Sequence, residues 1–257
     1  MKDNHLFFAA EHLSKSFEGL SVLKRISLKI KESRILSLIG PNGAGKTTFF
    51  NILSGIYVPT QGKIIFKGKN ITGLKPHQIT CLGIARTFQN LRLFPQMTVL
   101  ENILSGFYPQ TRYGVADVLF KTKRFKNEEE KDVRGAYKIA GFVGLKNKEN
   151  EIVKNLSYGQ QKKLEIARAL ATNPSLLLLD EPTAGMNPKE TENMIELIRK
   201  IKKDGIAVIL IEHDMKVVMN ISDWIVVLDY GEKIAEGLPE EIRNNSKVIE
   251  AYLGKRT

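Results

Sequence analysis

Only one cysteine, Cys81, occurs in the 257 residues. A lone thiol closes no internal disulfide and builds no cysteine zinc cluster, so Cys81 is expected to be a small buried apolar residue. Long apolar runs are missing as well: none approaches the ~18 residues of a membrane span. The opening Met1-Lys2-Asp3-Asn4-His5 carries charge but no apolar core, so no signal peptide is expected. Internal repeats, low-complexity tracts and heptads are absent. Acidic residues are few beside basic ones, 28 against 39, leaving a net charge of +11. That excess suits a polyanionic partner, an anionic membrane surface, or a basic solvated exterior around a phosphate pocket. The remaining composition, 42% apolar and 26% charged, is that of an ordinary globular protein. The length allows one large domain or two joined lobes.

What is present centres on Gly40-Pro41-Asn42-Gly43-Ala44-Gly45-Lys46-Thr47, which fits the phosphate-loop pattern G-x-x-x-x-G-K-[ST] without mismatch. The preceding Ile35-Leu36-Ser37-Leu38-Ile39 reads as a buried parallel strand. Phe49, Ile52, Leu53 and Ile56 then fall at helical spacing. A strand, loop and helix in that order curl backbone N–H groups around phosphate oxygens, with the helix N-terminus adding partial positive charge. Lys46 can reach the β- and γ-phosphates, and the Thr47 hydroxyl can ligate Mg²⁺.

Around this loop, residues 7–16 read as a strand, and Ile26, Leu28 and Ile30 alternate with polar neighbours as a half-exposed antiparallel strand. Residues 62–67 and 69–72 read as a further hairpin. Phe17, in a turn before Gly19, is either a packing residue or a plate for an adenine ring, and the residues alone favour packing. Residues 176–179, 207–211 and 225–228 are short and apolar, as buried parallel strands are. Residues 188–203 form a helix with a Met194, Leu197, Ile198, Ile201 stripe, acids at its start, bases at its end and Gly205 as its stop. From about Asn90 to Leu170 strand signals give way to polar helical stretches, read as an inserted lobe. Residues 127–131 within it read as a solvated helix.

Two further motifs carry chemistry. Leu176-Leu177-Leu178-Leu179 delivers Asp180 and Glu181 to a strand's C-terminal end, where α/β sheets place ligands. Asp180 suits a Mg²⁺ shell and Glu181 a general base or water orienter. Ser157, in Leu-Ser-Tyr-Gly-Gln, is a helix N-cap; with Gly159 it offers a second anion cradle. The phosphate loop and this second cradle make two per chain, whereas one ATP needs only one phosphate loop, which suggests a dimer that sandwiches each ATP between the loop of one chain and the cradle of the other. A GTPase is argued against because Asn147-Lys148-Glu149-Asn150 fails the last position of a guanine-reading motif.

The order of phosphate loop, Gln89, Leu-Ser-Tyr-Gly-Gln, Asp180-Glu181, Ala184-Gly185-Met186-Asn187-Pro188 and His213 resembles an ATP-binding-cassette (ABC) ATPase across the whole chain. The resemblance implies nucleotide contacts from Gly40, Pro41, Asn42, Gly43, Ala44, Gly45, Lys46, Thr47 and Thr48. It implies a partner-facing cradle at Ser157, Gly159 and Gln160, a dimer-contact loop at 184–188 and a switch histidine at His213. It also implies Gln89 as a sensor of Mg²⁺ and of the membrane partner, and Phe17 as the adenine-stacking aromatic. ATP and Mg²⁺ are the implied cofactors; Thr47, Gln89 and Asp180 are the implied metal set, and Glu181, His213 and Gln89 the catalytic set.

Tyr158 and Asn187 depart from the broad family pattern. Together with Ala-Arg-Thr-Phe-Gln-Asn-Leu-Arg-Leu-Phe ending at Phe94, the basic insertion near Tyr113, and a tail ending Ala251-Tyr252-Leu253-Gly254, they are similar to the ATPase subunits of branched-chain amino acid importers. Urea importers, lipopolysaccharide exporters and soluble nucleic-acid-acting cassettes are the alternatives; nucleic acid is not the expected partner. The expected partners are a second ATPase subunit (the same chain or a sister), permease subunits and, indirectly, a solute-binding protein, at the cytoplasmic face of the cell membrane. The expected fold is α/β: a P-loop NTPase core with a mostly parallel sheet and flanking helices, plus a small antiparallel β subdomain. A single ATPase domain spans 1–257, with an inserted helical subdomain at 89–170 and a C-terminal helical tail at 236–257. Leu91, Leu93 and Phe94 beside Gln89 are read as the floor of a docking groove, or as part of the lobe's own core.

Overall fold

The computed structural model describes residues 7–31, 33–110, 114–120 and 122–253. The expectations placed on residues 1–5, Tyr113 and Gly254 lie outside them. The chain opens with β1 (Phe8–Phe17), β2 (Leu20–Ile30) and β3 (Ile35–Ile39), followed by α1 (Lys46–Leu53), β4 (Gln61–Phe66), β5 (Lys69–Asn70), α2 (Pro76–Cys81) and β6 (Ile84–Arg86). Next come α3 (Val99–Ser105), α4 (Val115–Leu119), α5 (Lys123–Phe142) and α6 (Tyr158–Ala171). The last part holds β7 (Leu176–Asp180), α7 (Pro188–Lys203), β8 (Ala207–Ile211), α8 (Met215–Ile221), β9 (Trp224–Asp229), β10 (Glu232–Gly237), α9 (Pro239–Arg243) and α10 (Ser246–Leu253).

Two sheets result. The larger runs β10-β9-β3-β8-β7-β6, parallel throughout except for β10 at its edge; the smaller, antiparallel, runs β2-β1-β4-β5. Successive side chains of a strand face opposite ways, and the large sheet divides its core accordingly. Leu36, Leu38, Leu176, Leu178, Ile209 and Ile211 pack on one face with α1 and the antiparallel sheet. Leu177, Leu179, Val208 and Leu210 pack on the other with α5, α6 and α7. Burial on both faces is why these strands read as unbroken apolar runs rather than alternating ones. Residues of β9, α8, α9 and α10 form a third, smaller cluster at the edge. Between β6 and β7 the described residues form helices, joined at one point by an isolated bridge from Thr98 to Ile152.

The structure corrects several expectations. Cys81 is exposed, because the short α2 buries only Ile79. Ile56 lies past the end of α1 and is exposed, so the buried stripe is Phe49, Phe50, Ile52 and Leu53. Strands β6 and β10 were not expected. The first has three residues; the second, polar on its solvent side, is an edge strand and lacks the apolar run of its neighbours. Helix α7 matches its expected bounds, with an Asn187–Glu190 capping box, buried Met194, Leu197, Ile198 and Ile201, and Gly205 at φ +89° just beyond it.

Candidate active site

The loop joining β3 to α1 is held by close backbone approaches. A Cβ on Gly40 (φ +149°) would lie 2.0 Å from the Leu228 carbonyl oxygen on β9, so only glycine fits. A Cβ on Gly45 (φ +98°) would lie 2.7 Å from the Leu23 side chain of β2. Gly45 is also the N-cap of α1 and supplies no side chain to cap it, which leaves the first amides of the helix for an external acceptor. Inside the loop, Lys46 Nζ donates to the carbonyls of Gly40 (2.7 Å) and Pro41 (2.9 Å). Lys46 is only 6% exposed, and this burial lowers its pKa against the raising pull of Glu181 and Asp180.

Gln89, Glu181 and His213, from three separate segments, meet at the mouth of this loop. Glu181 Oε1 is 2.5 Å from His213 Nε2, and Glu181 Oε2 accepts from Gln89 Nε2 at 3.0 Å. Glu181 sits at φ +49°, a conformation that costs a non-glycine residue on the order of 1 kcal/mol and clusters at functional sites. All three line a cleft of about 690 Å³, together with Val22 and the loop residues Asn42 to Thr48.

Asp180 stands behind the cleft. Its Oδ2 accepts from Arg86 Nη2 at 2.9 Å, with both side chains buried. Arg86 Nη1 donates in turn to Asn51 Oδ1 (2.7 Å) and Ser54 Oγ (2.9 Å), and the guanidinium lies near the rings of Phe50 and Phe88. Burial lowers the Arg86 pKa, and the hydrogen bond to Asp180 opposes it. One Arg86 atom, Nε, is buried without a partner among the described residues. Sequence patterns did not single out Arg86; one charged residue in a three-residue strand carries no periodic signal.

Glu212 was not singled out either, because one acid directly after the apolar strand β8 carries no periodic signal. It is buried, and its Oε1 accepts from the Thr183 amide (2.9 Å) and hydroxyl (2.5 Å), while Oε2 accepts from the His213 amide (3.1 Å). It thereby fixes the segment after Glu181 to the segment that carries His213. Glu212→Ala leaves these donors without an acceptor, a loss of about 3 kcal/mol, or roughly 10 °C in thermal midpoint. Calorimetry of the variant checks this; an unchanged midpoint would remove Glu212 from the framework of the site.

The other expected residues lie elsewhere. Phe17 ends β1, is 37% exposed and meets the Tyr57 ring edge-on at 5.2 Å, with Lys15 Nζ 4.9 Å from its centroid. It does not line the cleft. Ser157, Gly159 and Gln160 open α6, where Ser157 Oγ and Gln160 Oε1 form a capping box. None of the three lines the cleft either, so one chain does not bring the two cradles into one pocket. A Cβ on Gly159 would lie 2.8 Å from Glu190 Oε1, and one on Gly185 3.5 Å from the Tyr158 ring. The start of α6 and the 184–188 loop thus share one surface. Helix α6 also grips the Gln89 segment: Lys162 Nζ donates to the Gln89 carbonyl (3.0 Å), and Glu165 Oε1 accepts from the Phe88 amide (3.2 Å). Burial raises the Glu165 pKa. Phe94 is 47% exposed with Arg168 near its ring, whereas Leu93 is partly buried against the helical core; the groove reading fits the first and the core reading the second.

Comparison with known proteins follows this geometry. Residues 23–184 match the family model described as ABC transporter, and residues 232–256 match that described as branched-chain amino acid ATP-binding cassette transporter. The high-affinity branched-chain amino acid transport ATP-binding protein LivG of Salmonella typhimurium is 46% identical over 248 residues, covering 96% of this chain and 97% of that protein. BraF of Pseudomonas aeruginosa, described in the same words, is 47% identical over 244 residues, covering 95% and 96%. Among solved structures, a nucleotide-free ATP-binding cassette from an ABC transporter superposes with TM-score 0.85 at 34% identity, covering 97% of this chain and 100% of that one. A dimeric cassette in a post-hydrolysis state bound to ADP and Pi gives 0.75 at 28% identity, covering 90% and 98%.

Proposed function

The chain belongs to the ABC transporter ATP-binding family, and on that premise we propose that it is the ATP-hydrolysing subunit of a branched-chain amino acid importer. The observation that carries the reading is the meeting of Gln89, Glu181 and His213 over the phosphate loop. Loop amides and Lys46 take the phosphates, so Lys46 leaves the Gly40 and Pro41 carbonyls for the β/γ oxygens. Glu181 orients or deprotonates the attacking water, and His213 holds Glu181 until the γ-phosphate draws its imidazole across.

Among the described residues no three His, Cys, Asp or Glu gather as a metal site. The donors at hand are hard oxygens: the exposed Thr47 hydroxyl and the Gln89 amide in the cleft, with Asp180 behind them. That sparse set fits Mg²⁺, which keeps waters and takes its remaining ligands from substrate phosphates. Bound there, Mg²⁺ would neutralise charge on the β/γ oxygens. Phe17 and Tyr57 form the aromatic edge offered to the adenine.

The second cradle, at Ser157, Gly159 and Gln160, serves the ATP of a partner ATPase chain, the same or a sister. The 184–188 loop lies beside it on the dimer face. Residues 89–170 act as the lobe that meets the permease, and 236–257 as a tail subdomain. No helix among the described residues is long and apolar enough to cross a membrane, so attachment to the cytoplasmic face runs through the permease; a solute-binding protein acts from the other side. A cavity of about 320 Å³ lined by Arg86, Phe94, Glu165 and Arg168 is the permease socket.

Affinity purification from membranes, with identification of the bound subunits and of the solute their vesicles accumulate, tests this reading. Phe94→Asp should fold, since the ring is half-exposed and its amide remains bonded to Asn102 Oδ1. It should lose the permease and, with it, transport. Normal assembly and uptake by a folded Phe94→Asp chain would refute the socket.

A further inference from the structure

Three segments carry the oxygen donors read as the Mg²⁺ set: α1 with Thr47, the end of β7 with Asp180, and the stretch after β6 with Gln89. One side chain, Arg86, is bonded to the first two and belongs to the third. Its Nη1 directs both hydrogens to α1, at Asn51 Oδ1 (2.7 Å) and Ser54 Oγ (2.9 Å). Asn51 stands one helical turn after Thr47, on the same face of α1. Nη2 donates to Asp180 Oδ2 at 2.9 Å, and the next residue, Thr87, accepts from the Asp180 amide through Oγ1 at 3.4 Å. Gln89 follows two positions after Thr87. The Arg86 side chain is 6% exposed, with Cζ 5.5 Å from the Phe50 ring centroid and 5.1 Å from that of Phe88, so it has little room to turn.

Stability does not account for this arrangement. Burying an arginine and a carboxylate costs desolvation that their attraction only about offsets, and apolar residues of similar volume often serve as well. The fork also leaves Arg86 Nε buried without a partner among the described residues. What the pair secures is direction. With Oδ2 held by Nη2, Asp180 keeps one carboxylate orientation. Its Oδ1, which accepts no hydrogen bond among the described residues, is the acceptor that remains for Mg²⁺ or its waters. We propose that Arg86 is the positioning residue of the Mg²⁺ set: its planar fork holds Asp180 in register with Thr47 and Gln89, so that metal and nucleotide bind together. This role rests on reading the cleft as the Mg-ATP site. Lysine keeps the charge but has no planar fork to face α1 and β7 at once.

Calorimetric titration with the non-hydrolysable imido analogue of ATP, in excess Mg²⁺ and again in EDTA, gives the factor by which Mg²⁺ strengthens nucleotide binding. Arg86→Lys should lower that factor about tenfold, the scale of losing the partner that orients a metal-binding carboxylate. Affinity in EDTA should stay near that of the wild type. With Mn²⁺ in place of Mg²⁺, the paramagnetic resonance of the bound ion should report the same loss. Asp180→Asn should cause a loss of similar size, and adding Arg86→Lys to it should cause no further one, because the arginine acts on the metal through that carboxylate. Asn51→Ala keeps the buried ion pair and removes one tie to α1, so it should fold even where Arg86→Lys does not. It should lower the factor on the order of threefold, the scale of one hydrogen bond. A thermal melt of each preparation identifies the folded chains. A folded Arg86→Lys or Asn51→Ala chain with an unchanged Mg²⁺ factor would overturn the role, as would equal losses in EDTA and in Mg²⁺, or additive losses in the double variant. A wild-type chain that binds the analogue equally with and without Mg²⁺ would remove the metal set, and one that does not bind it would remove the ATP-site reading; either takes the role of Arg86 with it.

Discussion

Lys46→Ala is expected to lower ATP turnover by at least ~100-fold, the scale of losing one preorganised donor to a transition-state oxygen. The substitution spares the loop glycines and α1 amides, so ATP should still bind, more weakly. Burial already lowers the pKa of this ammonium. Its charge is therefore costly where it stands, and removing it should leave the fold intact. Phosphate release at saturating Mg-ATP, beside a thermal melt of the same preparation, checks both halves. Near-normal turnover would refute the loop's assignment. Mixing this chain with Ser157→Arg should recover part of the activity if two chains share their sites, because one composite site then has both halves intact.

Glu181→Gln is expected to abolish hydrolysis while ATP stays bound, so the dimer accumulates in its closed form. The amide keeps the size and one acceptor, but it cannot take a proton from water. It also changes the local hydrogen bonds: Oε1 faces His213 and Oε2 accepts from Gln89, and an amide nitrogen facing Gln89 Nε2 would set donor against donor. The glutamine must therefore turn its oxygen to Gln89 and donate to His213. Light scattering with Mg-ATP should report a species of twice the monomer mass for Glu181→Gln and a shorter-lived one for the wild type. Hydrolysis at the wild-type rate would show that Glu181 is not the base.

Much of the site could be read from the sequence because its parts are local. The phosphate loop, the Ser157 cap and the Asp180-Glu181 strand end are contiguous motifs whose backbone requirements fix the residue type at each position. The five buried parallel strands were less equally visible. Those of five or more residues show their apolar run, but Ile84-Ala85-Arg86 ends in a charge that only a tertiary partner explains. Arg86 is satisfied by Asn51, Ser54 and Asp180, and one oxygen of Glu212 by Thr183, all far away in the chain, so no window of sequence contains the reason for these charges. Cys81 illustrates the opposite failure: its chemistry suggested the core, but the helix that carries it has one buried position, and Ile79 occupies it.

The partners of Arg86 and Phe88 determine where motion can enter. Arg86 ties β6 to α1 through Asn51 and Ser54 and to β7 through Asp180, and the Thr87 amide donates to the Leu178 carbonyl at 2.9 Å. One residue later the allegiance changes, with the Phe88 amide and the Gln89 carbonyl both bonded to α6. The border between the nucleotide-holding body and the helical layer therefore falls on a single peptide link, Thr87–Phe88. A joint that short has no slack to absorb a displacement. Any rotation of α6 swings Gln89 about Thr87 like the short arm of a lever and pulls directly on the carboxylate of Glu181.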